Sequence, residues 1–378
     1  MVAHVEVQEA RTRRELKAFV RFPWRVYRGD HNWVPPLISE RLDYLTPGKN
    51  PLLLNAETAL FLARKGGQVA GTVAVLVQPQ EEEFVQKREA RFGFFEVLDD
   101  YGVAERLLDT ARAWAKGRGV AVLRGPLNFT DWESPGVLID GADCPPVLLS
   151  AHTPQYYHMF LERYGMEKDT DLYAWRAFRS QIGDDLEKVP EQVHRAAGMA
   201  ARQNVTVRKV RLNRWAEEVS TACRLFNVTL SHLPGFKPIT EPEFRRLVDP
   251  MRTIIDPDLA LFAELEGRVV GFCVSLPDPN RVFIHLNGRL LPFGWLKLWW
   301  YVRRVDVLTF KLMGVLPELR YRGIEALLFV ESLRAMMAKR YEWLDGSLTN
   351  EANVMVNLLA SRWGAERYKH YRIYRMAV

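Results

Sequence analysis

Two arginines and a glycine stand where this 378-residue chain passes from an apolar run into a long amphipathic segment: Leu319-Arg320-Tyr321-Arg322-Gly323-Ile324. The run before them, Val307 to Val315, is short and β-prone, and Pro317 ends it. After them, Leu327, Leu328, Val330, Glu331 and Arg334 fall at helical spacing, with the apolar positions on one face. A glycine at a strand-to-helix turn lets the backbone approach a ligand closely. The first N–H groups of the helix have no partners within it and point at whatever sits there. With Arg320 and Arg322 beside them, the ligand this pattern fits is a phosphate or diphosphate. The loop lacks the Lys-Ser/Thr of a P-loop and the three glycines of a dinucleotide fold. Glu325 favours the helix dipole but is unfavourable next to a diphosphate. From the loop alone, an ordinary strand–turn–helix unit stays open.

The elements that must hold this loop are also readable. Tyr341 to Leu348 predicts a strand, Asn350 to Trp363 a helix closed by Gly364, and Arg367 to Met376 an alternating final strand. Asn350 fits a helix N-cap. The same order occurs earlier. Ala59–Arg64 and Gln68–Val77 predict a hairpin across Gly66-Gly67, followed by strand Arg91–Val97, helix Val103–Lys116, strand Val120–Arg124, helix Pro154–Arg163 and strand Leu172–Phe178. In the second half, Leu259–Glu264 and Arg268–Leu276 predict the matching hairpin across Glu266-Gly267. The length suits two domains, 1–180 and 181–378, with 182–190 as the linker region.

Arg320, Gly323 and the helix start resemble the pyrophosphate loop of the GNAT superfamily, the acyl-CoA N-acyltransferases, whose pattern is Arg or Gln, two residues, Gly, one residue, then Gly or Ala. Glu325 departs from its last position. Longer stretches are similar to one branch, the YghO-like proteins: Phe22–Leu37, Asn50–Ala63, Phe92–Asp100, Gly125–Gly141, Gly235–Phe244, His285–Gly294 and Tyr368–Arg375. The resemblance spans nearly the whole chain. It implies an α/β (α+β) architecture of tandem GNAT folds, each a mixed, mostly antiparallel twisted sheet flanked by helices. It also implies an acyl-CoA site in the second copy. Arg320, Arg322, Gly323 and Ile324 would hold the diphosphate, and Asn353 the pantetheine arm between two parted strands. Backbone N–H groups at Gly314, Val315 and Leu316 would polarise the acyl carbonyl. The family tyrosine that protonates the leaving thiolate falls on Ala360, so that acid is absent. Asp306 and Glu264 are the base candidates by fold analogy, and His285 and Asn287 could face the acceptor. Carboxylates so placed are more often solvated or paired surface groups, and a lone histidine is more often structural. In the first copy Asp99 and Asp100 stand at the helix start and would repel a diphosphate, so residues 1–180 read as a degenerate copy. Asn128, Asp131 and Glu133 fit a turn, or a substrate-binding site at the domain interface.

Other features bound the function. Cys144, Cys223 and Cys273 give no metal spacing and no disulfide framework, the N-terminus reads as no signal peptide, and no apolar run reaches spanning length, so a cytoplasmic location is the expectation. The net charge of +6 is dispersed, without the basic block a nucleic-acid partner would need. Leu290–Val302, with Trp295, Trp299 and Trp300, admits three roles: a core helix at the domain interface, an interfacial helix giving peripheral membrane contact, or the wall of an acyl tunnel. The reading is an N-acyltransferase moving an acyl group from acetyl-CoA or a longer acyl-CoA to a small-molecule or lipid-like amine, without metal. The alternative is a non-catalytic acyl-CoA or lipid-binding protein that retains the fold.

Overall fold

In the computed structural model, residues 4–78, 89–232, 236–292 and 294–378 are described. Gly235 and Phe293, each at one end of a stretch singled out above, lie outside them. The strands are β1 (Val5–Glu9), β2 (Glu57–Lys65), β3 (Gln68–Val77), β4 (Glu89–Val97), β5 (Val122–Gly125), β6 (Val137–Asp140), β7 (Glu167–Phe178), β8 (Thr206–Lys209), β9 (Ala260–Leu265), β10 (Arg268–Pro277), β11 (Val307–Val315), β12 (Trp343–Asn350) and β13 (Glu366–Ala377). The helices are α1 (Arg13–Arg21), α2 (Pro23–Val26), α3 (Ile38–Tyr44), α4 (Tyr101–Lys116), α5 (Tyr156–Arg163), α6 (Arg179–Ile182), α7 (Glu191–Arg202), α8 (Trp215–Leu230), α9 (Glu241–Val248), α10 (Asn280–Phe283), α11 (Gly294–Val302), α12 (Ile324–Met337) and α13 (Val354–Arg362).

Both halves use the expected order. In each, a hairpin and a third antiparallel strand lead to a helix, and the next strand returns parallel. Glu89–Arg91 of β4 pair with Val122–Arg124 of β5, and Val307–Thr309 of β11 with Trp343–Asp345 of β12. The strands form one mixed, mostly antiparallel sheet in the order β1-β2-β3-β4-β5-β13-β7-β12-β11-β10-β9-β8, with β6 continuing beside β13. The two last strands are exchanged. β7, from the first half, pairs with β12, while β13, from the second, pairs with β5 and β6. The strands of the two halves therefore make one sheet, joined through β7 and β13.

Charge pairing fixes the join. Asp171 on β7 accepts from Arg372 Nε (2.8 Å) and Nη2 (3.1 Å) on β13, with Lys168 and His370 alongside. Burial alone would raise the Asp171 pKa, but these donors outweigh it and hold the carboxyl down to about 2. Removing a buried partner leaves its mate uncompensated, so Asp171→Ala should cost about 3 kcal/mol in urea unfolding. Because the folded pKa is depressed, the contribution of Asp171 is complete above pH 3.8 and fades as pH falls toward about 2. A variant whose loss in stability were the same at pH 3 and pH 7 would contradict this account.

Helix α12 differs from the one-faced helix expected. Its buried residues include Ile324, Leu328, Val330, Leu333 and Met337, because α7 covers its outer side through Val193 and Ala197. Helix α11 differs in the other direction. It has no buried residue, which overturns the core role for Leu290–Val302.

Candidate functional site

Two regions combine an opening with polar groups. The first is the predicted corner. Beyond Thr309 and Asp345, β11 stays with β10 and β12 with β7, so the central strands part. A buried network lies at the fork. Asp345 accepts from the hydroxyls of Thr309, Ser347 and Tyr368, each at 2.7 Å, and Lys311 Nζ donates to Ser347 Oγ at 3.2 Å. Burial lowers the Lys311 pKa, opposed by Asp345 and Asp278. Lys311 is the extra residue of a bulge opposite Val274 and Ser275. The expected carbonyl-polarising segment sits instead in the regular ladder. Gly314 and Val315 pair with Phe272 and Gly271, and Leu316 N–H donates to the Val270 carbonyl. A bulge is set by pairing across strands, which the run of apolar residues does not report.

The loop itself is half free. Among the described residues the N–H groups of 321–326 have no backbone acceptor, and Tyr321 and Arg322 are exposed. Arg320 is committed. It donates to the Thr229 carbonyl at 2.6 Å and lies 3.0 Å from His232 Nδ1, bracing the end of α8. Gly323 has φ +83°, and a Cβ there would lie 1.9 Å from the Ala196 carbonyl oxygen. The close approach that this glycine permits is made by α7, at least on the side its Cβ would face. Ile324 is buried. The N-cap of α13 is Asn353, which accepts the Val356 N–H, and not Asn350, which ends β12 and accepts the Ala352 N–H. Beside them α13 exposes Val354, Met355, Leu358 and Leu359.

The second region is a cavity of about 670 Å³ in the first half, closed by residues of the second. Its walls come from β4, from 126–137, from 33–45, and from 237–254 and 279–283. Parts of five of the stretches singled out in the sequence meet there. Asn128 and Glu133, predicted as substrate contacts, are both in its wall. Asn128 Oδ1 accepts the N–H of Phe94, a bulged residue at φ +46°. Leu127 N–H donates to the Phe92 carbonyl at 2.6 Å, so this loop fills the fork of the first copy. Glu133 pairs with Arg41 at 2.9 Å, and Asp131 with Arg124 at 2.5 Å and Arg91 at 3.3 Å. Those cations hold Asp131 far below the usual carboxylate range despite its burial.

Glu96 is the exception. Burial pushes its pKa up to about 7, and among the described residues it meets hydroxyls and no cation, with Tyr157 donating at 2.8 Å and Tyr27 close by. His152 uses Nε2 on Asp30 (2.8 Å), and His152 and Ser150 both line the cavity. Sequence reasoning passed over Glu96. The available signal was one carboxylate inside the apolar strand Phe92-Gly93-Phe94-Phe95-Glu96-Val97.

The catalytic candidates read from sequence do not join either region. Asp306 is exposed at the start of β11, roughly 27 Å of strand from the loop. Glu264 is paired with Arg208 at 2.5 Å. His285 is exposed and stacked on Tyr301 at 3.9 Å. Asn287 accepts from Trp24 Nε1 at 2.7 Å, and Trp299 lies in the open under Arg303. Fold analogy placed these carboxylates by strand number, and the side-chain partners decide otherwise. Among the described residues no group of His, Cys, Asp and Glu is arranged to hold a metal.

No family model matches the chain. Protein YghO of Escherichia coli (strain K12) is 35% identical over 368 residues, covering 95% of this chain and 92% of that protein. The bacterial ceramide synthase of Caulobacter vibrioides is 33% identical over 383 residues, covering 100% and 98%. Among solved structures, a tandem GNAT protein from the clavulanic acid pathway superposes with a TM-score of 0.59 at 12% identity, over 99% of this chain and 98% of that one. A GCN5-related N-acetyltransferase from Sphaerobacter thermophilus gives 0.54 at 15% identity, over 99% and 95%. At these identities the two structures show a shared fold.

Proposed function

Because the chain belongs to the YghO-like branch of the GNAT superfamily, we propose that it is an acyl-CoA-dependent N-acyltransferase with a lipid-like amine as acceptor. The observation that carries this reading is the cavity of about 670 Å³ holding Glu96. A pocket of this size suits an amphipathic small molecule. A partly buried carboxyl with no cation beside it among the described residues can pair with an incoming ammonium, and one titrating near neutrality can take its proton. A ceramide is the amide of a long-chain amino alcohol, so the name of the Caulobacter relative supports the same class of acceptor.

In this reading the donor diphosphate rests on the free N–H groups at the start of α12 with Arg322. Thr229 and the segment 237–239 border one region each. Thr229 meets Arg320, and Lys237 to Ile239 line the cavity. Glu96 accepts a proton from the ammonium. The freed amine attacks the thioester carbon, the C–N bond forms, the C–S bond breaks, and the proton that the nitrogen then loses passes to the departing thiolate, which leaves as CoA. The amide and the free thiol are the products.

The test is thiol release from acetyl- to palmitoyl-CoA with a panel of short and long-chain amines. Amine-dependent release supports the reading, with preference for long-chain amines supporting the acceptor class. Acyl-CoA binding without release would favour a non-catalytic binding protein, a reading that Ala360 and the committed Arg320 support. At the corner, Arg322→Ala should weaken CoA binding about tenfold by calorimetry, the loss of one charged contact. Gly323→Ala should weaken it further and destabilise the fold, since its Cβ would meet Ala196. Unchanged CoA affinity in both would remove the diphosphate from this loop.

A further inference from the structure

Of the three roles open to Leu290–Val302, the surface position of α11 removes the core role, and its composition favours one partner. No residue of α11 is buried, and Trp295, Trp299 and Trp300 are 55%, 55% and 51% exposed. Leu291 and Leu296 extend the exposed apolar face. Arg303 lies over the Trp299 ring at 4.1 Å and Arg304 over Trp300 at 4.3 Å. From His285 to Val305 the chain carries Arg289, Lys297, Arg303 and Arg304 and no carboxylate. Tryptophan has an apolar body and a polar N–H, and arginine can bury its stem while keeping its charge at the headgroup level. A soluble surface rarely leaves three such rings together uncovered.

We propose that α11 and its flanks seat the protein on an anionic lipid surface, lying in the headgroup plane. At nine residues the helix is about 14 Å long, which cannot cross a hydrocarbon core of roughly 30 Å. The same charges argue against a second copy as the partner. A two-fold contact through this segment would bring four basic residues against the same four, with the exposed Asp306 at its C-terminal end as the nearest carboxylate in sequence. An anionic bilayer satisfies both the rings and the charges.

The placement gives the surface a use. Gly288 accepts the Ile38 N–H, and a Cβ on Gly288 would lie 2.5 Å from the Trp24 ring, so the segment before α11 is fixed against 24–38. Trp33 to Leu37 and Phe283 of α10 line the cavity. A lipid leaving the bilayer beside α11 therefore meets the cavity wall. This use rests on the acyl-transfer reading, whereas the docking itself does not.

The experiment is flotation of the full chain with vesicles of phosphatidylcholine alone or mixed with phosphatidylglycerol, with no acyl donor present. The expected result is binding to the mixed vesicles that weakens in high salt. Trp299→Ser with Trp300→Ser should lower it about tenfold or more, and Arg303→Glu with Arg304→Glu should abolish the preference for phosphatidylglycerol. Both pairs are outside the core, so circular dichroism melting should match the parent. No binding by the parent, or equal binding by the tryptophan pair variant, overturns the proposal. A dimer in light scattering that the tryptophan pair variant dissolves would assign the face to a second copy and also overturn it. Neither outcome bears on amine-dependent thiol release, so the two readings fail separately.

Discussion

Residues 1–180 expressed alone will not fold. In chain order this fragment is a complete copy of the motif, from the first hairpin to the last strand. In space its sheet needs β13, which pairs with β5 and β6 along their free edge and then with β7. Tyr374 belongs to the core under α4, and Tyr371 and Ile373 to the cluster that joins the halves. All three are at most 2% exposed. Without β13 their partners face water. At about 25 cal/mol per Å², losing two buried aromatic contacts of 150 Å² or more costs roughly 8 kcal/mol, comparable with the whole stability of a domain. The expected result is an insoluble fragment, or one without a cooperative urea transition. Co-expression with 181–378 should restore a soluble complex. A fragment 1–180 that unfolds cooperatively on its own would show that the exchange of strands is dispensable.

That exchange marks where the sequence stops being informative. The hairpins across Gly66-Gly67 and Glu266-Gly267, the helix after Gly323 and the cap at Gly364 are local matters of turn residues and periodicity, and they stand where expected. Which strand a terminal strand joins is a long-range choice. β7 and β13 both alternate and both carry charges, so either could have closed its own half; Asp171 and Arg372 select the joined arrangement only once both are present. The site divides in the same way. Gly323 was legible as a turn residue at positive φ, but the neighbour it admits is a helix 120 residues away in sequence. Asn128 and Glu133 were legible as members of a polar turn, and their cavity was not, because its far wall comes from 237–254. Glu264 read as a base until Arg208 was seen beside it. Composition left Trp299 and Trp300 open to core, membrane and tunnel roles, because it counts apolar residues without knowing whether a second surface exists to cover them.

Glu96→Gln should stop turnover and stabilise the protein, and the combination is diagnostic. Burial raises the folded pKa of Glu96 from 4.5 to about 7. Between those values the unfolded chain has released the proton and the folded chain still holds it, so stability falls as pH rises through the window. The penalty is small at pH 4, complete above about pH 7, and on the order of 3 kcal/mol. Glutamine keeps the shape and can still accept from Tyr157. The variant should therefore match the parent at pH 4 and exceed it by about 2–3 kcal/mol at pH 8 in urea unfolding. Its amine-dependent thiol release should fall about 10²–10³-fold, the usual loss for a proton acceptor. The parent's rate should climb through an inflection near pH 7 that the variant lacks. A carboxyl kept only for structure would give neither the rate loss nor the changed profile. A variant that is no more stable at pH 8 would mean that Glu96 has a cation or water access after all. Stability given up at one buried carboxyl, in a chain that answers Asp131 and Glu133 with arginines in the same cavity, is the kind of cost that a proton-transfer site imposes and a packing site does not.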